Sequence, residues 1–241
     1  MKEYFKPTGR ASLGVVLLFC MQAHAQTAIA QKSKLLYSED FSVELDTSRW
    51  HAEIEPVPGR HSEVSTENGR LILNTAGGVT VWFKPRLEGN IRIEYDWTVL
   101  VDSGRNDRLS DLNQFWMATD PLDTNLFKRS GKFERYDSLS LYYVGFGGNS
   151  NTTTRFRKYH GDGTKPLLQE YLDSRHLLKA NHPYHIMITV VDGRTTFSVD
   201  GEVFFDFVDA TPLKKGRFGF RSTAARHGVG GFRVWGLSKS D

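Results

Sequence analysis

The 241-residue sequence has one cysteine, Cys20, and no extended run of like charge or low-complexity composition. With no second thiol, the chain has no intramolecular disulfide and no cysteine metal site. No linker rich in proline, glycine or serine divides it, and no internal repeat is visible. These absences favour one large domain stabilised by a hydrophobic core.

The chain also has little net positive charge when its N-terminal residues are not counted. The formal net charge is +3, and Lys2, Lys6 and Arg10 against Glu3 supply two of these charges. The remaining chain therefore carries a formal charge of only +1. So small an excess excludes a global electrostatic field for nucleic acid, and we expect no nucleic-acid partner.

The N-terminus has the pattern of a secretory signal peptide. A positive segment precedes an apolar run at residues 13–21, and Ala23-His24-Ala25 fits the small-x-small cleavage pattern. The apolar run is about half the ~20 residues that a membrane-spanning helix needs. We expect cleavage after Ala25, no membrane insertion afterwards, and a periplasmic or extracellular location in a bacterium.

From residue 35 onward the chain alternates short extended segments with turns. Ile91, Ile93 and Tyr95 alternate with charged residues, as in a strand with one buried face. Two Asp-Gly pairs, at residues 192–193 and 200–201, are typical of tight hairpin turns. The pattern predicts an all-β fold of two packed antiparallel sheets.

Domain boundaries follow from these patterns. We expect a signal peptide at residues 1–25, a disordered linker at 26–34, one β-sandwich domain at 35–238 and a tail at 239–241. Residues 165–181 contain either a turn or two of helix or a long loop, because Pro166 and Asp173 interrupt the pattern.

Several stretches resemble the concanavalin A-like lectin/glucanase superfamily. They are LLYSEDFSVELDTSRWHAE, DLNQFWMATDP, HPYHIMITVVDGRTTFSVDGEVFFDF, GRFGFRS and GFRVWGL. Within that superfamily the chain is similar, over residues 35–237, to an uncharacterised secreted bacterial domain family associated with polysaccharide utilisation.

The resemblance implies a two-sheet jelly-roll sandwich with a sugar-binding groove on one sheet. It also implies a polysaccharide or oligosaccharide partner and no cofactor. Structural calcium is common in the superfamily, but no Asp-rich loop here specifies it, and we assign no metal-binding residue. Jelly rolls of this kind include hydrolases, lyases, lectins and binding modules, so the fold does not choose the chemistry.

The stretch DRLSDLNQFWMATDP holds candidate substrate-binding residues. On a strand, Asp111 and Asn113 share one face, and Trp116 supplies an aromatic ring nearby. Such groups bind sugar hydroxyls and stack on a pyranose ring. The alternative is that Asp111 and Asn113 lie at an edge and bond neighbouring backbone.

A second candidate lies in YYVGFGGNSNTTTRFRKYHGDG, where a Gly-rich bend joins two strands. The following strand places Arg155, Arg157 and Tyr159 on one face. These side chains must meet water, carboxylates or an acidic ligand, because burying them unpaired is costly. The alternative to a site is a solvated face paired with nearby Asp and Glu. Asn149, in the bend, joins Tyr159 as a substrate-binding candidate.

A polysaccharide lyase acting on a uronic acid would use all of these residue types. Arg155 or Arg157 holds the C5 carboxylate bidentately with help from Asn113. The proton carriers are among Tyr142, Tyr143, Tyr159 and His160. The catalytic candidates are therefore Tyr142, Tyr143, Arg155, Arg157 and His160.

Other functions remain open at this stage. A glycoside hydrolase needs two carboxylates about 5 to 9.5 Å apart, and the clustered Glu, Asp and Glu usual in the glucanase branch do not occur here. A non-catalytic carbohydrate-binding module needs only the groove. A signal peptide on a chain of single-domain length favours an enzyme, and a lyase is the leading hypothesis.

Overall fold

A computed structural model describes residue 1 and residues 33–238 of the chain. Its fifteen strands, β1 to β15, span Ser33–Glu39, Trp50–Ile54, Glu63–Glu67, Arg70–Asn74, Gly78–Glu88, Ile91–Val99, Leu112–Thr119, Ser140–Gly147, Thr153–His160, Leu167–Tyr171, Pro183–Val191, Arg194–Val199, Glu202–Val208, Lys215–Thr223 and Arg226–Leu237. Residues 2–32, which hold most of the predicted signal peptide and its cleavage site, and the predicted tail at 239–241 lie outside the described residues.

The described strands form two antiparallel sheets. One has the order β13-β12-β11-β6-β15-β4-β3, with β1 paired to β15, and the other has the order β10-β9-β8-β7-β14-β5-β2. β14 lies between β5 and β7, and β15 lies between β6 and β4, so strands distant in sequence are neighbours in the sheets. The predicted all-β, two-sheet antiparallel jelly-roll sandwich is confirmed.

Turn chemistry fixes three of the hairpins. Asp192-Gly193 joins β11 to β12, and Asp200-Gly201 joins β12 to β13, with positive φ at all four residues. Residues 68–69, an Asn-Gly pair, do the same between β3 and β4. Both central positions of such turns need positive φ, which Gly and Asn or Asp adopt most readily.

Period-two alternation builds the core between the sheets. Along β6, Ile93, Tyr95 and Trp97 are at most 1% exposed and face the second sheet. Tyr95 packs its ring on Phe218 and Phe220 of β14, with centroids 5.5 and 5.0 Å away. Burying one large apolar side chain contributes roughly 1.5–3 kcal/mol, so this aromatic layer holds the two sheets face to face.

Two segments differ from the predictions. Residues 165–181 contain strand β10 and a single 3-10 turn at Ser174–His176, rather than a helix or a structureless loop. β1 begins at Ser33, inside the linker predicted for residues 26–34. The described part of the chain contains no helix long and apolar enough to cross a membrane.

The outer face of the seven-stranded sheet, which points away from the other sheet, is partly covered by residues 120–139. We call these residues the cover segment. Its Leu126, Tyr136 and Leu139 pack on Trp82 and Phe115 of the sheet, forming a second apolar cluster. The sheet is therefore buried on both faces over part of its area.

Glu53 attaches the cover segment to the sheet. Its buried carboxylate accepts hydrogen bonds from Trp82 Nε1 at 2.8 Å, from the Tyr136 hydroxyl at 2.9 Å and from the Arg129 backbone N–H at 2.5 Å. Arg129 in turn pairs with Asp120 at 2.7 Å. Because several donors share this one carboxylate, the charge is compensated and the segment is held in one position.

A buried Ser–His pair between the sheets is structural. Trp97 Nε1 donates to His227 Nδ1 at 2.9 Å, so the neutral ring carries its proton on Nε2 and donates it to Ser222 Oγ at 2.7 Å. Burial, with Arg108 nearby, lowers the pKa of His227 to about 3. A ring that donates to the hydroxyl is not its base, and both side chains are fully buried.

His227 should make stability depend on pH. Its pKa in the folded state is about 3, against 6.5 for the free side chain. Between these values only the unfolded state binds the proton, so the free energy of unfolding falls with decreasing pH, by up to about 1.4 kcal/mol per pH unit. Urea unfolding of His227→Asn should show a shallower loss between pH 6.5 and 4 than the unsubstituted protein.

The matched control is His61→Asn, because the His61 side chain is 76% exposed and lies 3.2 Å from Glu63 on the surface. This variant should keep the pH profile of the unsubstituted protein. An unchanged profile in His227→Asn would contradict the assignment of acid sensitivity to His227.

Candidate functional site

A pocket of about 510 Å³ opens on the outer face, beside the cover segment. β7, β8 and β9 supply seven of its fifteen lining residues, β14 contributes Thr223, the cover segment contributes Phe133, and the segments adjoining these strands supply the others. These strands are neighbours in the sheet, so their outward-facing residues lie side by side. The alternation along each strand therefore decides which residues reach the pocket.

Gly145 makes room at the pocket floor for two polar groups. A Cβ atom at this position would lie 2.3 Å from the Tyr143 hydroxyl and 3.2 Å from Asn113 Oδ1. Real Cβ atoms do not approach so closely, so only glycine permits this arrangement. The hydroxyl, the amide and the bare backbone form one continuous polar patch.

Asn113 presents an unused acceptor in this patch. Its Nδ2 lies 3.4 Å from Asp111 Oδ1, which can only accept, so the amide nitrogen faces Asp111 and Oδ1 faces Gly145. Asn113 is 3% exposed, and its Oδ1 accepts no hydrogen bond from any described residue. A buried acceptor without a donor costs about 1–3 kcal/mol, so a displacement that exposed Asn113 Oδ1 to a ligand's donor would be favoured.

Asp111 is held in place by Arg108, three residues earlier in the sequence. It has a positive φ of 64° and forms an ion pair with Arg108. Arg108 also donates from Nε to the Ala224 carbonyl at 3.1 Å, which fixes the guanidinium against the loop after β14. Asp111 is the one carboxylate among the residues that line the pocket.

The opposite wall is cationic. Arg155 pairs with Glu170 of β10, and Lys165 pairs with Asp137 of the cover segment at 2.6 Å. Arg157 differs, because it donates from Nη1 to the Lys165 carbonyl at 2.8 Å and has no described carboxylate within 4.0 Å. Its charge is therefore available to an anion in the pocket.

Arg221 lies beneath the pocket and is 1% exposed. Its guanidinium donates to the Val79 carbonyl at 3.2 Å, to the Gly131 carbonyl and to Thr223 Oγ1 at 3.1 Å. It stacks against Phe133 at 5.1 Å. Burial lowers its pKa, and no carboxylate in residues 33–238 pairs with it within 4.0 Å.

The two tyrosines of the pocket are proton donors at neutral pH. Burial raises the pKa of Tyr143, and the nearby Tyr159 and Asp111 raise it further, while Arg221 and Arg157 oppose the shift. Burial and Asp137 raise the pKa of Tyr159 in the same way. Both groups therefore stay protonated and can donate a hydrogen bond or a proton.

Seven of the residues predicted for the site line this one pocket. They are Asp111, Asn113, Tyr143, Asn149, Arg155, Arg157 and Tyr159. The predicted shared face of Asp111 and Asn113 and that of Arg155, Arg157 and Tyr159 agree with the structure, because all five residues line the pocket. The structure thus brings the two sequence candidates together on neighbouring strands.

Tyr142 and Trp116 face the core between the sheets, so neither can meet a ligand in the pocket. The Tyr142 hydroxyl donates to Asp209 at 2.5 Å, beside the Lys158–Asp209 ion pair at 2.7 Å. Trp116 donates from Nε1 to Thr195 Oγ1 at 3.1 Å. Because adjacent residues of a strand point to opposite faces, Tyr142 and Tyr143 cannot share a site.

His160 is also separate from the pocket. It is an exposed residue at the end of β9, where its backbone N–H bonds the Thr164 carbonyl at 3.1 Å. Its side chain is not part of the pocket lining. Tyr142, Trp116 and His160 are therefore withdrawn from the candidate site.

Other residues of the site were missed from sequence. Arg108, Phe133, Lys165 and the underlying Arg221 all contribute, and Phe133 comes from the cover segment. For Arg221 the signal was present, because Arg217, Gly219 and Arg221 alternate with Phe218 and Phe220 along β14. The cover segment has no comparable periodicity.

The pocket can therefore bind a ligand that offers both an acidic group and a hydroxyl. Four cations and one carboxylate line it, so it is positively charged. Within residues 33–238 no cluster of three or more His, Cys, Asp or Glu side chains could hold a metal ion.

Solved structures with a similar backbone define the fold class. A protein of unknown function with a galectin-like fold from Bacillus subtilis matches with a TM-score of 0.70 and 18% identity, covering 87% of this chain and all of its own. An endo-β-1,3-glucanase from Pyrococcus furiosus matches with a TM-score of 0.60 and 11% identity, covering 87% of this chain and 97% of its own.

The carbohydrate-binding module CBM66 from Bacillus subtilis matches with a TM-score of 0.53 and 14% identity, covering 77% of this chain and 94% of its own. The fold is thus the concanavalin A-like jelly roll, as predicted. At these identities the likeness concerns the fold alone.

The chain belongs to the family described as domain of unknown function DUF6250, whose model matches residues 73–232. The matched segment contains every residue that lines the pocket. A search of curated proteins finds no match.

The close approach at Gly145 can be tested by a double-variant cycle. Gly145→Ala should lower the free energy of unfolding by about 1–3 kcal/mol, because the new methyl group overlaps the Tyr143 hydroxyl. The loss should be smaller in a Tyr143→Phe background, where that hydroxyl is absent. Urea unfolding of the four proteins measures both values.

Gly148→Ala is the matched control, because a Cβ there meets its nearest atom at 3.4 Å, an ordinary contact. It should change stability by a few tenths of a kcal/mol. An equal cost of Gly145→Ala in both backgrounds would show that the hydroxyl does not occupy the described position.

Proposed function

We propose that this protein is a secreted, carbohydrate-active enzyme that cleaves a glycan containing uronic acid by β-elimination, that is, a polysaccharide lyase. The observation that carries the proposal is that one pocket contains both a hydrogen-bond acceptor without a donor and a guanidinium without a carboxylate partner. Asn113 offers a buried acceptor without a donor, and Arg157 offers a guanidinium without a carboxylate.

A uronic acid unit carries both a hydroxyl donor for Asn113 and a carboxylate for Arg157. The carboxylate accepts from Arg157 in the bidentate geometry that guanidinium groups favour. A sugar hydroxyl donates to Asn113 Oδ1 after a small displacement of this side chain, because the atom is buried in the structure without ligand. Phe133, which is partly exposed, supplies aromatic surface for the apolar face of the ring. A neutral sugar would leave Arg157 without its partner.

The named structural neighbours support the ligand class. They include an endo-β-1,3-glucanase and a carbohydrate-binding module, both proteins of this fold that act on or bind carbohydrate. This similarity does not favour one reaction over another. The choice of reaction rests on the side chains in the pocket.

The elimination would proceed with a balanced movement of two protons. Arg157 and the field of Arg221 stabilise negative charge on the carboxylate as the C5–H bond breaks and its proton passes to the Asp111 carboxylate. The C4–O bond then breaks, and the leaving oxygen takes the proton of Tyr143, which burial keeps protonated. The product carries a C4–C5 double bond.

Return of the proton from Asp111 to Tyr143 would reset the site. The two groups lie beside the same amide, since Asp111 Oδ1 is 3.4 Å from Asn113 Nδ2 and the Tyr143 hydroxyl adjoins Gly145. Asn113 therefore has a second role, because it separates the acid from the base and binds the substrate between them.

Hydrolysis fits this pocket less well. Retaining and inverting glycosidases use two carboxyl groups about 5 to 9.5 Å apart, with the substrate between them. Among the residues that line the pocket only Asp111 carries a carboxylate. The single carboxylate favours elimination.

Incubation with polygalacturonate, alginate and glucuronan tests the proposal. One of them should give the ultraviolet absorbance of unsaturated uronate ends. Arg157→Lys should lower kcat/KM about 100-fold, because a point charge cannot replace the bidentate guanidinium. Arg233→Lys, an exposed substitution on the other sheet, should have no effect.

New reducing ends without this absorbance would identify a hydrolase. Saturable binding with neither product would identify a carbohydrate-binding module. Full activity in Arg157→Lys would remove this side chain from the mechanism.

We further propose that the protein acts in the periplasm or outside the cell. Support comes from the N-terminal sequence, with its positive segment, apolar run and small-x-small pattern. Expression of the full chain in a Gram-negative bacterium should give a periplasmic or secreted protein whose first residue is Gln26. Recovery of the intact N-terminus in the cytoplasm would contradict export.

A further inference from the structure

A second pocket of about 510 Å³, which contains two arginines, opens on the same outer face beside a different part of the cover segment. Its lining includes Arg86 of β5 and Arg217 of β14, together with Asp120, Asp123 and Leu122 of the cover segment. Phe133 lines the first pocket and Leu122 lines the second, so the cover segment borders both.

The two arginines are brought together by an irregularity in the sheet. β14 and β5 pair Gly216 with Leu87 and Phe218 with Phe83, so three residues of β5 lie opposite Arg217 alone. A bulge of this kind redirects side chains. Both arginines line the pocket, and burial, together with the like charge of Arg86, lowers the pKa of Arg217.

Neither arginine is neutralised. Arg217 donates from Nε to the Lys84 carbonyl at 3.0 Å and packs on the Phe127 ring at 5.0 Å, and its two terminal nitrogens form no hydrogen bond with residues 33–238. In the described part of the chain no carboxylate lies within 4.0 Å of either guanidinium.

The two carboxylates that line this pocket form ion pairs with other residues, not with Arg86 or Arg217. Asp120 pairs with the buried Arg129 at 2.7 Å and accepts from the Leu122 N–H at 3.0 Å. Asp123 pairs with Lys128 and accepts from the Asn125 N–H at 2.8 Å. Two guanidinium groups without a carboxylate partner in residues 33–238, beside carboxylates that are already paired, suit the binding of an anion.

The two pockets lie at different points along the same strand, β14. Arg217 and Arg221 lie on the same face of β14, four residues and therefore about 13 Å apart along the strand. Arg221 lies beneath the first pocket, and Arg217 lines the second. A ligand that occupies both must carry acidic groups on separate units.

We propose that Arg86 and Arg217 form a second anion-binding subsite, which holds a carboxylate of the same glycan chain several sugar units away from the unit in the first pocket. This inference rests on the proposed function, because it assumes that the ligand is a polyuronate. It makes the preferred substrate a polyanionic chain rather than a short oligosaccharide.

Calorimetric binding of oligomers of two lengths tests the subsite. The probes are the dimer and the octamer of galacturonate, with alginate oligomers of the same lengths in parallel, and all proteins carry Tyr143→Phe to prevent cleavage. The octamer should bind more tightly than the dimer. Arg86→Gln with Arg217→Gln should weaken octamer binding about tenfold, or about 1.4 kcal/mol, and leave dimer binding unchanged.

Two further variants locate the effect. Arg157→Gln should weaken dimer and octamer alike, because it acts in the first pocket, and Arg233→Gln on the other sheet should change neither. Octamer binding that is unaffected by the loss of Arg86 and Arg217 would overturn the second subsite, even if the first pocket binds as proposed.

If neither oligomer binds, the proposed function fails for these glycans, and sulfate then decides the fate of the subsite. The side-chain Nε–H NMR signals of Arg86 and Arg217 should shift saturably as sulfate is added. Saturation would show that Arg86 and Arg217 bind an anion, so that only the choice of glycan as ligand would be wrong. Shifts that grow linearly with sulfate would overturn the site itself.

Discussion

The buried guanidinium of Arg221 is the contact on which the outer face depends. It bonds backbone carbonyls of β5 and of the cover segment, at Val79 and Gly131, and carries the Phe133 ring. A desolvated cation without a carboxylate partner is costly, and these carbonyls and aromatic faces offset part of the cost. The same charge lies beneath the pocket, so one side chain both positions the cover segment and makes the site attractive to anions.

The apolar inner face and the polar outer face of the seven-stranded sheet both follow from the alternation of side chains along β14. Phe218 and Phe220 of β14 pack against the other sheet, while Arg217 and Arg221 point outward. The inward aromatic residues fix the register, because a slip of one residue would bury the arginines. The core therefore determines where the outer cations stand, and stability and ligand recognition rest on the same pattern.

Sequence patterning predicted the fold and most of the candidate site, and its failures have physical causes. Alternation correctly grouped Asp111 with Asn113 and Arg155 with Arg157, because neighbours at spacing two share a face. It could not say which face was inward, so Trp116 was assigned to a ligand although it stacks on Phe156 in the core. Lys165 and Phe133 could not be found at all, since loops and the cover segment bring them in through tertiary contacts.

The central claim is that the pocket above Arg221 receives a uronic acid unit. A crystal structure of the Tyr143→Phe protein with a bound uronate oligosaccharide tests it most directly. The account predicts a carboxylate bound bidentately by Arg157 and a sugar hydroxyl within hydrogen-bond distance of Asn113 Oδ1. An oligosaccharide bound elsewhere, or bound here with its carboxylates directed to solvent, would contradict it.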